Sequence, residues 1–381
     1  MNICTPDACL GCGVCSIMCP HKAIMMAEDE EGFLRPLVES SRCVLCGYCR
    51  QVCPVVSTHV PLRHSKQICF GGAATSKNEV LSSTSGGVAS VLSRNILGIG
   101  GVVVGAAFHP FPRVSHIVVD SEADLWRLKG SKYVESDIRE VLPKVRSLLA
   151  QECKVLFVGL PCHVAALYAF LGGDNENLVT VDLVCHGKPP QKLFTQWVAL
   201  LERLVGSKIV GYKFRNKDGC KWNSPQTHNH CYELVDGRVG VVPKEFNWYG
   251  RYFLGGASFR QCCYHCQFAR LPRVGDLTLA DFWGGEKDSR YMRFADQGLS
   301  LVTIQSEKGR KLLQFVDGLD VVECEPSFAI ACNCGLVKCT KSQIYRRIVY
   351  RYAYWREPFR SWLDMIVVFG ARIARKIIKK R

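Results

Sequence analysis

Cysteine residues carry the clearest chemical signal in this 381-residue sequence, which contains 22 of them. The segment from Cys9 to Pro20 has the spacing C-x2-C-x2-C-x3-C-P, and the segment from Cys43 to Pro54 repeats it. Three thiolates at this spacing wrap three corners of a cubane cluster, and in two-cluster ferredoxins the Cys before Pro ligates the other cluster. The repeat therefore predicts two [4Fe–4S] clusters.

The predicted ligand sets exchange one cysteine between the two halves of the repeat. The cysteines of the first set are Cys9, Cys12, Cys15 and Cys53, and those of the second set are Cys43, Cys46, Cys49 and Cys19. A zinc site is the alternative, but zinc sites usually pair two C-x2–4-C motifs rather than three cysteines at x2 spacing. Gly11, Gly13 and Gly47 allow the backbone to bend closely around the sulfides.

The elements that position these cysteines form a short first domain, which we predict over residues 1–60. Asp29 to Gly32 lie between two apolar stretches and indicate a hairpin turn. No apolar leader precedes Cys4, and a chain of this length builds a core without disulfides, so metal ligation is the favoured role of the cysteines. The domain has four Lys/Arg and six Asp/Glu residues, whereas the whole chain has a net charge of +15.

Strand and helix patterns alternate from residue 68 onwards, which predicts an α/β arrangement with a mixed sheet. We divide this region into residues 68–150 and 151–325. The predicted strands are 101–108, 114–119, 154–159, 178–184, 276–282 and 299–305. The predicted helices are 88–97, 121–128, 137–150, 162–171 and 190–205, with one more after residue 305.

A flavin is expected in this second region. A cubane passes single electrons, and a flavin commonly links such one-electron centres to a two-electron substrate. There is no dinucleotide fingerprint and no Walker A loop. Two segments are candidate cofactor contacts, namely Ser85, Gly86 and Gly87 before a helix, and Lys129, Gly130, Ser131, Lys132 and Tyr133. Helix starts bind anions. A plain capped helix and a solvated loop remain the alternatives.

Further candidates lie where predicted strands end, since ligands gather at the carboxyl ends of strands in open α/β sheets. Gly159 and Pro161 are candidate cofactor contacts, and His186 and Asp281 are candidate catalytic residues. Buried structural roles for this histidine and aspartate stay open. A third cluster is hypothesised on Cys162, Cys185, Cys263 and Cys266. The alternative is that single cysteines are small buried hydrophobic residues.

These motifs, taken in order over residues 68–320, resemble the β-subunit family of coenzyme F420 hydrogenases and dehydrogenases. The residues that carry the resemblance are 85–87, 130–134, 159–162, 181–187, 263–266 and 281–284. The resemblance implies bound FAD, at least one further [4Fe–4S] cluster and, in some members, coenzyme F420 as hydride partner. The expected fold class is α+β, with a bacterial-type two-cluster ferredoxin fold followed by an α/β mixed-sheet flavin-binding domain and a basic helical tail.

Residues 340–381 form this predicted tail, with twelve Lys/Arg and two Asp/Glu residues. One helical face carries Trp362, Ile366, Phe369, Ile373 and Ile377, so the tail is typical of a helix on an anionic membrane surface or an acidic partner. Packing on the protein itself is the alternative. The uncharged run within the tail is too short to span a bilayer. No nucleic-acid motif is present, and nucleic acid is not an expected partner.

The sequence thus predicts a cytoplasmic iron–sulfur flavoprotein oxidoreductase, with peripheral contact at the inner membrane face as an option. Its expected partners are ferredoxin or another redox protein, and coenzyme F420 or another small hydride acceptor. Two alternatives from other classes stay open. One is a non-catalytic electron-transfer subunit of a larger complex, and the other is an accessory or scaffold protein of a polysaccharide pathway.

Overall fold

The computed structural model describes residues 3–57, 59–64, 67–294, 296–341, 346, 349 and 350. Its N-terminal part contains two one-turn helices and one hairpin, which are α1 (Val14–Ile17), β1 (Ile24–Glu28), β2 (Leu34–Val38) and α2 (Tyr48–Gln51). The two strands pair antiparallel with Ile24 opposite Val38. The hairpin predicted around Asp29 to Gly32 is therefore confirmed.

An eight-stranded mixed sheet forms the centre of the remaining chain. Its strands are β3 (Ile68–Ala74), β4 (Val102–Phe108), β5 (Val114–Val119), β6 (Val155–Gly159), β7 (Leu178–Leu183), β11 (Leu277–Asp281), β12 (Ser300–Ile304) and β13 (Leu319–Cys324). Their spatial order is β13-β3-β12-β11-β7-β6-β4-β5. The four central strands β4, β6, β7 and β11 are parallel, and the outer pairs are antiparallel. The central strands are largely buried and mostly apolar, as parallel strands with two covered faces usually are.

Helices connect these strands and pack on the sheet. They are α3 (Lys77–Ser82), α4 (Val88–Gly98), α5 (Val141–Ala150), α6 (Pro161–Leu171), α7 (Gln191–Val205), α8 (Trp248–Leu254), α9 (Glu307–Gln314) and α10 (Pro326–Cys332). Helix α6 has Pro161 in its first turn and ends at Gly172 with φ +83°, the usual asymmetry of helix termini. None of the helices within the described ranges is long and apolar enough to cross a membrane.

A smaller antiparallel sheet contains β8 (Ile209–Lys213), β9 (Cys231–Leu234) and β10 (Val239–Val241). Its core is aromatic and includes Trp197, Phe214 and Tyr249. These three strands were not predicted from the sequence, because residues 207–260 combine aromatics with many turn residues and lack a clear period.

The strands predicted after residue 68 are confirmed, whereas two of the predicted helices differ from the structure. The stretch predicted as a helix over 121–128 is a 3-10 helix, Glu122–Leu128. The predicted 137–150 helix begins later, at Val141. Strands β3 and β13 were not predicted from the sequence. The amphipathic helix predicted within residues 340–381 lies outside the described residues, apart from 340, 341, 346, 349 and 350.

Candidate metal centres and adjoining residues

The first predicted cysteine quartet lines one cavity of about 340 Å³, measured with its opening to solvent. The thiols in its wall are those of Cys4, Cys9, Cys12, Cys15 and Cys53. Cys53 comes from the second half of the repeat, as the exchanged assignment requires. Leu10, Met26 and Pro36 supply apolar wall between the thiols. The structure thus brings this quartet together around a space that is mostly apolar apart from sulfur.

The second quartet lines a separate cavity of about 380 Å³. Its thiols are those of Cys19, Cys43, Cys46 and Cys49. Here the exchanged residue is Cys19, from the first half of the repeat. The open end of the β1–β2 hairpin lies beside this cavity and contributes Ile24 and Val38.

Left-handed glycines allow each cysteine loop to turn back on itself. We call residues 9–15 the first cysteine loop and residues 43–49 the second cysteine loop. Gly13 has φ +75° and Gly47 has φ +74°, and each immediately precedes a one-turn helix. A side chain at such a φ is strained, so glycine is the residue suited to both positions.

Cys4 is a fifth thiol in the first cavity that the sequence did not single out. Its thiol donates hydrogen bonds to Cys9 and Cys53. These bonds lower the pKa of Cys9 to about 5 and that of Cys53 to about 7, against the opposing effect of burial. Cys4 lies outside the repeat spacing, so only the folded chain shows its proximity.

A third group of cysteines forms where three distant segments meet. Cys162 begins α6 after β6, and Cys185 follows β7. A 3-10 helix, Gln261–His265, brings in Cys262 and Cys263, and Cys266 follows it. Cys162, Cys262 and Cys266 contact one apolar cluster, and the Cys185 charge raises the pKa of both Cys162 and Cys263, so the four predicted residues and Cys262 are neighbours.

Burial raises the pKa of most thiols in this third group, that of Cys185 to about 11. Cys262 is the exception, because a hydrogen bond from Cys263 lowers its pKa to about 7. Among the residues described, no three His, Cys, Asp or Glu side chains are arranged to hold a single metal ion. A cubane differs from a single ion in this respect, because its four thiolates bind four different irons.

A buried ion network joins the first cysteine loop to the third cysteine group. Lys188 pairs with Glu135 at 2.8 Å and donates to the carbonyl of Leu10 at 2.7 Å. Arg260 pairs with the other oxygen of Glu135 at 2.9 Å and donates to the carbonyl of Leu34. The Arg260 and Lys188 charges hold the pKa of Glu135 below its usual value despite its burial. The network docks the N-terminal part firmly on the sheet domain.

The same ammonium group influences thiols on both sides of this junction. Burial raises the pKa of Cys12 to about 12, and the Lys188 charge opposes that shift. It likewise opposes the upward shift that burial gives to the pKa of Cys162. Cys12 and Cys162 also contact one apolar cluster, built around α5 and α6. The two cysteine groups are therefore neighbours across a single packed interface.

The two segments predicted as cofactor contacts lie against each other. Lys129 donates to Ser82 at 2.9 Å, and the backbone N–H of Ser131 donates to Thr84 at 3.0 Å. Lys129 also pairs with Glu79 at 2.7 Å. The segments around residues 82–87 and 129–133, which are distant in sequence, thus form one wall.

Much of the hydrogen-bonding capacity of this wall serves the protein itself. Ser85 donates to the carbonyl of Leu299 at 2.8 Å, and the N–H of Gly86 donates to Ser300 at 2.9 Å. The ammonium of Lys132 donates to the carbonyl of Lys129 at 2.8 Å, and burial lowers its pKa to about 7. These contacts fix the shape of the wall and occupy groups that an anion would otherwise use.

Gly87 and Gly130 adopt backbone conformations that favour glycine, with φ +82° and +79°. Gly87 is the N-cap of α4. Gly159 ends β6, where an added Cβ would lie 3.2 Å from His116 Nε2, and Pro161 opens α6 as a buried residue. Gly159 and Pro161 therefore lie within the packed sheet–helix junction that positions Cys162.

Asp281 lies at the carboxyl end of β11 and pairs with Arg215 at 2.7 Å. The guanidinium carbon of Arg215 is 5.0 Å from the centre of the Trp283 ring, and its Nε is buried without a hydrogen-bond partner among the described residues. Tyr133 lies beside Arg215, and burial raises the pKa of this tyrosine to about 12. A buried cation beside aromatic rings is suited to a planar, electron-rich ligand. Arg215 was not predicted from the sequence, because it lies in the region without a clear period.

His186 lies close to the same aromatic wall. Its ring makes edge contacts with Phe253, which in turn stacks on Tyr133 with ring centres 4.1 Å apart. The Nε2 atom is 3.3 Å from the carbonyl of Leu254, and Nδ1 is 3.1 Å from the hydroxyl of Thr340. Both ring nitrogens thus have partners. The structure places His186 and Asp281 at opposite ends of one series of contacting residues.

Two known protein families match this chain, and both bear on the resemblance predicted from the sequence. Residues 153–327 match the family model for the C terminus of the beta subunit of coenzyme F420 hydrogenase/dehydrogenase. Residues 8–56 match a 4Fe-4S dicluster domain. No curated protein matches the chain.

Among solved structures, the chain is similar to one chain of the F420-reducing [NiFe] hydrogenase complex from Methanosarcina barkeri. The identity is 15% and the TM-score is 0.46, over 73% of this chain and 91% of that chain. The two family matches confirm the predicted resemblance. In this chain a segment that matches a 4Fe-4S dicluster domain is thus followed by residues 153–327, which are similar to the C terminus of the beta subunits of coenzyme F420 hydrogenases and dehydrogenases.

Proposed function

We propose that the protein is an iron–sulfur flavoprotein oxidoreductase that passes electrons between [4Fe–4S] clusters and a two-electron partner through FAD. The observation that carries the proposal is the arrangement of three cysteine groups. Two of them line separate cavities, and the third lies across one packed interface from the first. This arrangement suits a chain of one-electron centres.

The proposed ligands are the two exchanged quartets and the third group. They are Cys9, Cys12, Cys15 and Cys53, then Cys43, Cys46, Cys49 and Cys19, and finally Cys162, Cys185, Cys263 and Cys266. The first two donor sets suit a cubane, since each of their cavities has four such thiols in a largely apolar wall. When bound, clusters would carry single electrons and FAD would link them to hydride chemistry.

The group of residues around Arg215, at the carboxyl end of β11, is the proposed flavin site. The fit rests on Arg215, whose Nε is buried without a partner among the described residues and lies beside Trp283 and Tyr133. In this proposal Asp281 holds Arg215 in place, and the wall formed by residues 82–87 and 129–133 excludes water. His186 would supply a proton at the other end of the aromatic series. The hydride partner would be coenzyme F420 or another small acceptor.

A second candidate function is a non-catalytic electron-transfer subunit that holds clusters only. The hydrogen bonds of Ser85 and Gly86 within the protein favour it, because those groups are then unavailable to a flavin pyrophosphate. Under this alternative the wall of residues 82–87 and 129–133 is purely structural.

Anaerobic purification followed by spectroscopy separates the two candidates. The oxidoreductase proposal expects about one FAD per chain, with flavin reduction following cluster reduction by dithionite. Cys162→Ser should retain flavin and slow its reduction, whereas the matched control Cys153→Ser, outside the three groups, should leave the rate unchanged. Clusters without flavin, in protein reconstituted with excess FAD, would favour the electron-transfer subunit.

A further inference from the structure

The two cysteine loops repeat each other in sequence but differ in their surroundings. In the first cysteine loop Leu10 is buried, with 6% of its surface exposed. In the second, the equivalent Val44 is 61% exposed and the following Leu45 is 70% exposed. The first loop lies at the domain interface, and the second faces solvent.

Cationic side chains of the sheet domain lie against the first cysteine loop. Lys188 binds the carbonyl of Leu10, and an added Cβ on Gly11 would lie 2.3 Å from Arg260 Nη2. At the second loop, an added Cβ on Gly47 would meet nothing within 4 Å. The first loop is therefore covered by side chains of the sheet domain, whereas the second is open at Gly47 among the described residues.

Leu45 is held in an unfavourable backbone conformation. Its φ is +58°, where the first loop has Gly11 at φ +69°. A bulky residue at positive φ is rare, and such strain concentrates at functional sites. The side chain gains no burial in return, so its position is not explained by folding of this chain alone.

Charge is segregated along the N-terminal domain. Three of its four cations, Lys22, Arg42 and Arg50, are exposed and close in sequence to cysteines of the second cavity. Arg42 pairs with Glu39 at 3.2 Å. Four of the six acidic residues occupy positions 28–31, at the closed end of the hairpin, where Glu31 pairs with Arg346. The cavity end of the domain is thus locally basic although the domain as a whole is acidic.

We propose that the second cysteine loop is the docking site for a small acidic protein that carries one electron at a time. The apolar centre would be Val44, Leu45 and Tyr48, and the basic rim would be Lys22, Arg42 and Arg50. The inference rests on the proposed function, because it requires a cluster in the second cavity. Cys46 is exposed in the middle of this surface, so a cluster held there lies next to the docked partner.

A second copy of this chain is a poor occupant, because two basic rims would face each other. An acidic carrier instead gains favourable charge contacts and faster association, by about tenfold to a thousandfold at low salt. Its electron would enter at the second cavity and leave toward the third cysteine group through the first.

The test measures reduction of the reconstituted holoprotein by a reduced, acidic [2Fe–2S] ferredoxin in a stopped-flow instrument. A triple variant, Lys22→Glu, Arg42→Glu and Arg50→Glu, should lower the second-order rate constant at least about tenfold at low salt and flatten its salt dependence. The matched control reverses three exposed cations of the sheet domain, Lys213, Lys244 and Lys311, and should react like the parent.

A single variant without charge change tests the apolar centre. Leu45→Gly keeps the loop conformation and should weaken docking severalfold, whereas Leu62→Gly, at an exposed position outside the loop, should not. Methyl viologen radical, which needs no docking site, should reduce every variant at least as fast as the parent. If ferredoxin reduces both the triple variant and Leu45→Gly as fast as the parent, the docking site is overturned while the clusters stay in place.

The remaining outcomes also decide the matter. A parent protein that binds anionic lipid vesicles through this rim, and that ferredoxin does not reduce, would assign the surface to a membrane instead. A parent that contains no cluster after reconstitution would overturn the proposed function, and this is visible in its iron content before any docking is measured.

Discussion

The two halves of the cysteine repeat have nearly the same sequence pattern and opposite surroundings. The first cysteine loop is held by a buried network of Glu135, Lys188 and Arg260. Near the second loop, Arg42 and Glu39 form an ion pair that is exposed to solvent. The cysteine spacing is thus the same in both halves, as two similar clusters would require. The residues between the cysteines differ, and they match what each loop contacts. One neighbour is the protein's own sheet domain, and the other is the proposed carrier.

The largest expected difference between the halves comes from their ion pairs. Glu135→Gln leaves two buried cations without their carboxylate, which should lower the free energy of unfolding by about 3–5 kcal/mol. The control Glu39→Gln breaks an exposed pair and should cost less than about 1 kcal/mol. Anaerobic urea unfolding measures both values. Equal losses would show that the buried network does not hold the first loop.

Exchanging the residues at equivalent loop positions should give the next largest difference. Gly11→Ala places a Cβ against the buried Arg260 and adds strain at positive φ, for a loss of about 2–4 kcal/mol. Leu45→Gly removes strain and should change stability by less than about 1 kcal/mol. The same unfolding measurement applies. A similar loss for the two variants would mean that the loops have equivalent environments.

A smaller difference is expected at the glycines that begin the one-turn helices. Alanine at Gly13 or at Gly47 costs about 1–2 kcal/mol from positive φ alone. Gly13→Ala should cost about 1 kcal/mol more, since its Cβ would lie 2.5 Å from Arg139 Cδ. Thermal unfolding of the two variants under argon gives this difference, and a larger loss at Gly47 would contradict it.

Exposure to air should distinguish the two cavities by a few-fold in rate. Cysteine oxidation follows exposure, and Cys46 is exposed whereas Cys9 and Cys15 are buried. Iron release should therefore begin with about four irons from the second cavity. A Cys43→Ser variant should lack this early phase, whereas Cys12→Ser should retain it. Release of iron from both cavities at the same rate would contradict this expected difference between them.

Local spacing explains why the sequence predicted the N-terminal part so well. Each quartet is specified by short intervals and one exchange, and the cavities contain the expected thiols. The sheet was also largely predictable, because β4, β6 and β7 are apolar runs and because helices follow β6 and β7. Strand β3 was missed because Gly71 and Gly72 interrupt its pattern, and β13 because it is a half-buried strand that pairs at the edge of the sheet.

The residues around the third cysteine group were harder to predict. Cys262, Lys188 and Arg260 acquire their roles only when three distant segments meet, and no spacing relates them. Arg215 lies in the aromatic region that has no period. The sequence did not show which charged residues are buried, because a buried ion pair and a solvated one consist of the same residue types.

The iron and acid-labile sulfide content of anaerobically reconstituted protein, measured together with the paramagnetic signal after reduction, tests the electron-relay function most directly. We expect about twelve irons per chain, four for each cubane, with Cys53→Ser losing signal from the first cavity and Cys19→Ser from the second. A content of about eight irons per chain would contradict the proposed third cluster. A protein that contains no iron and no acid-labile sulfide above background would contradict the electron-relay function itself.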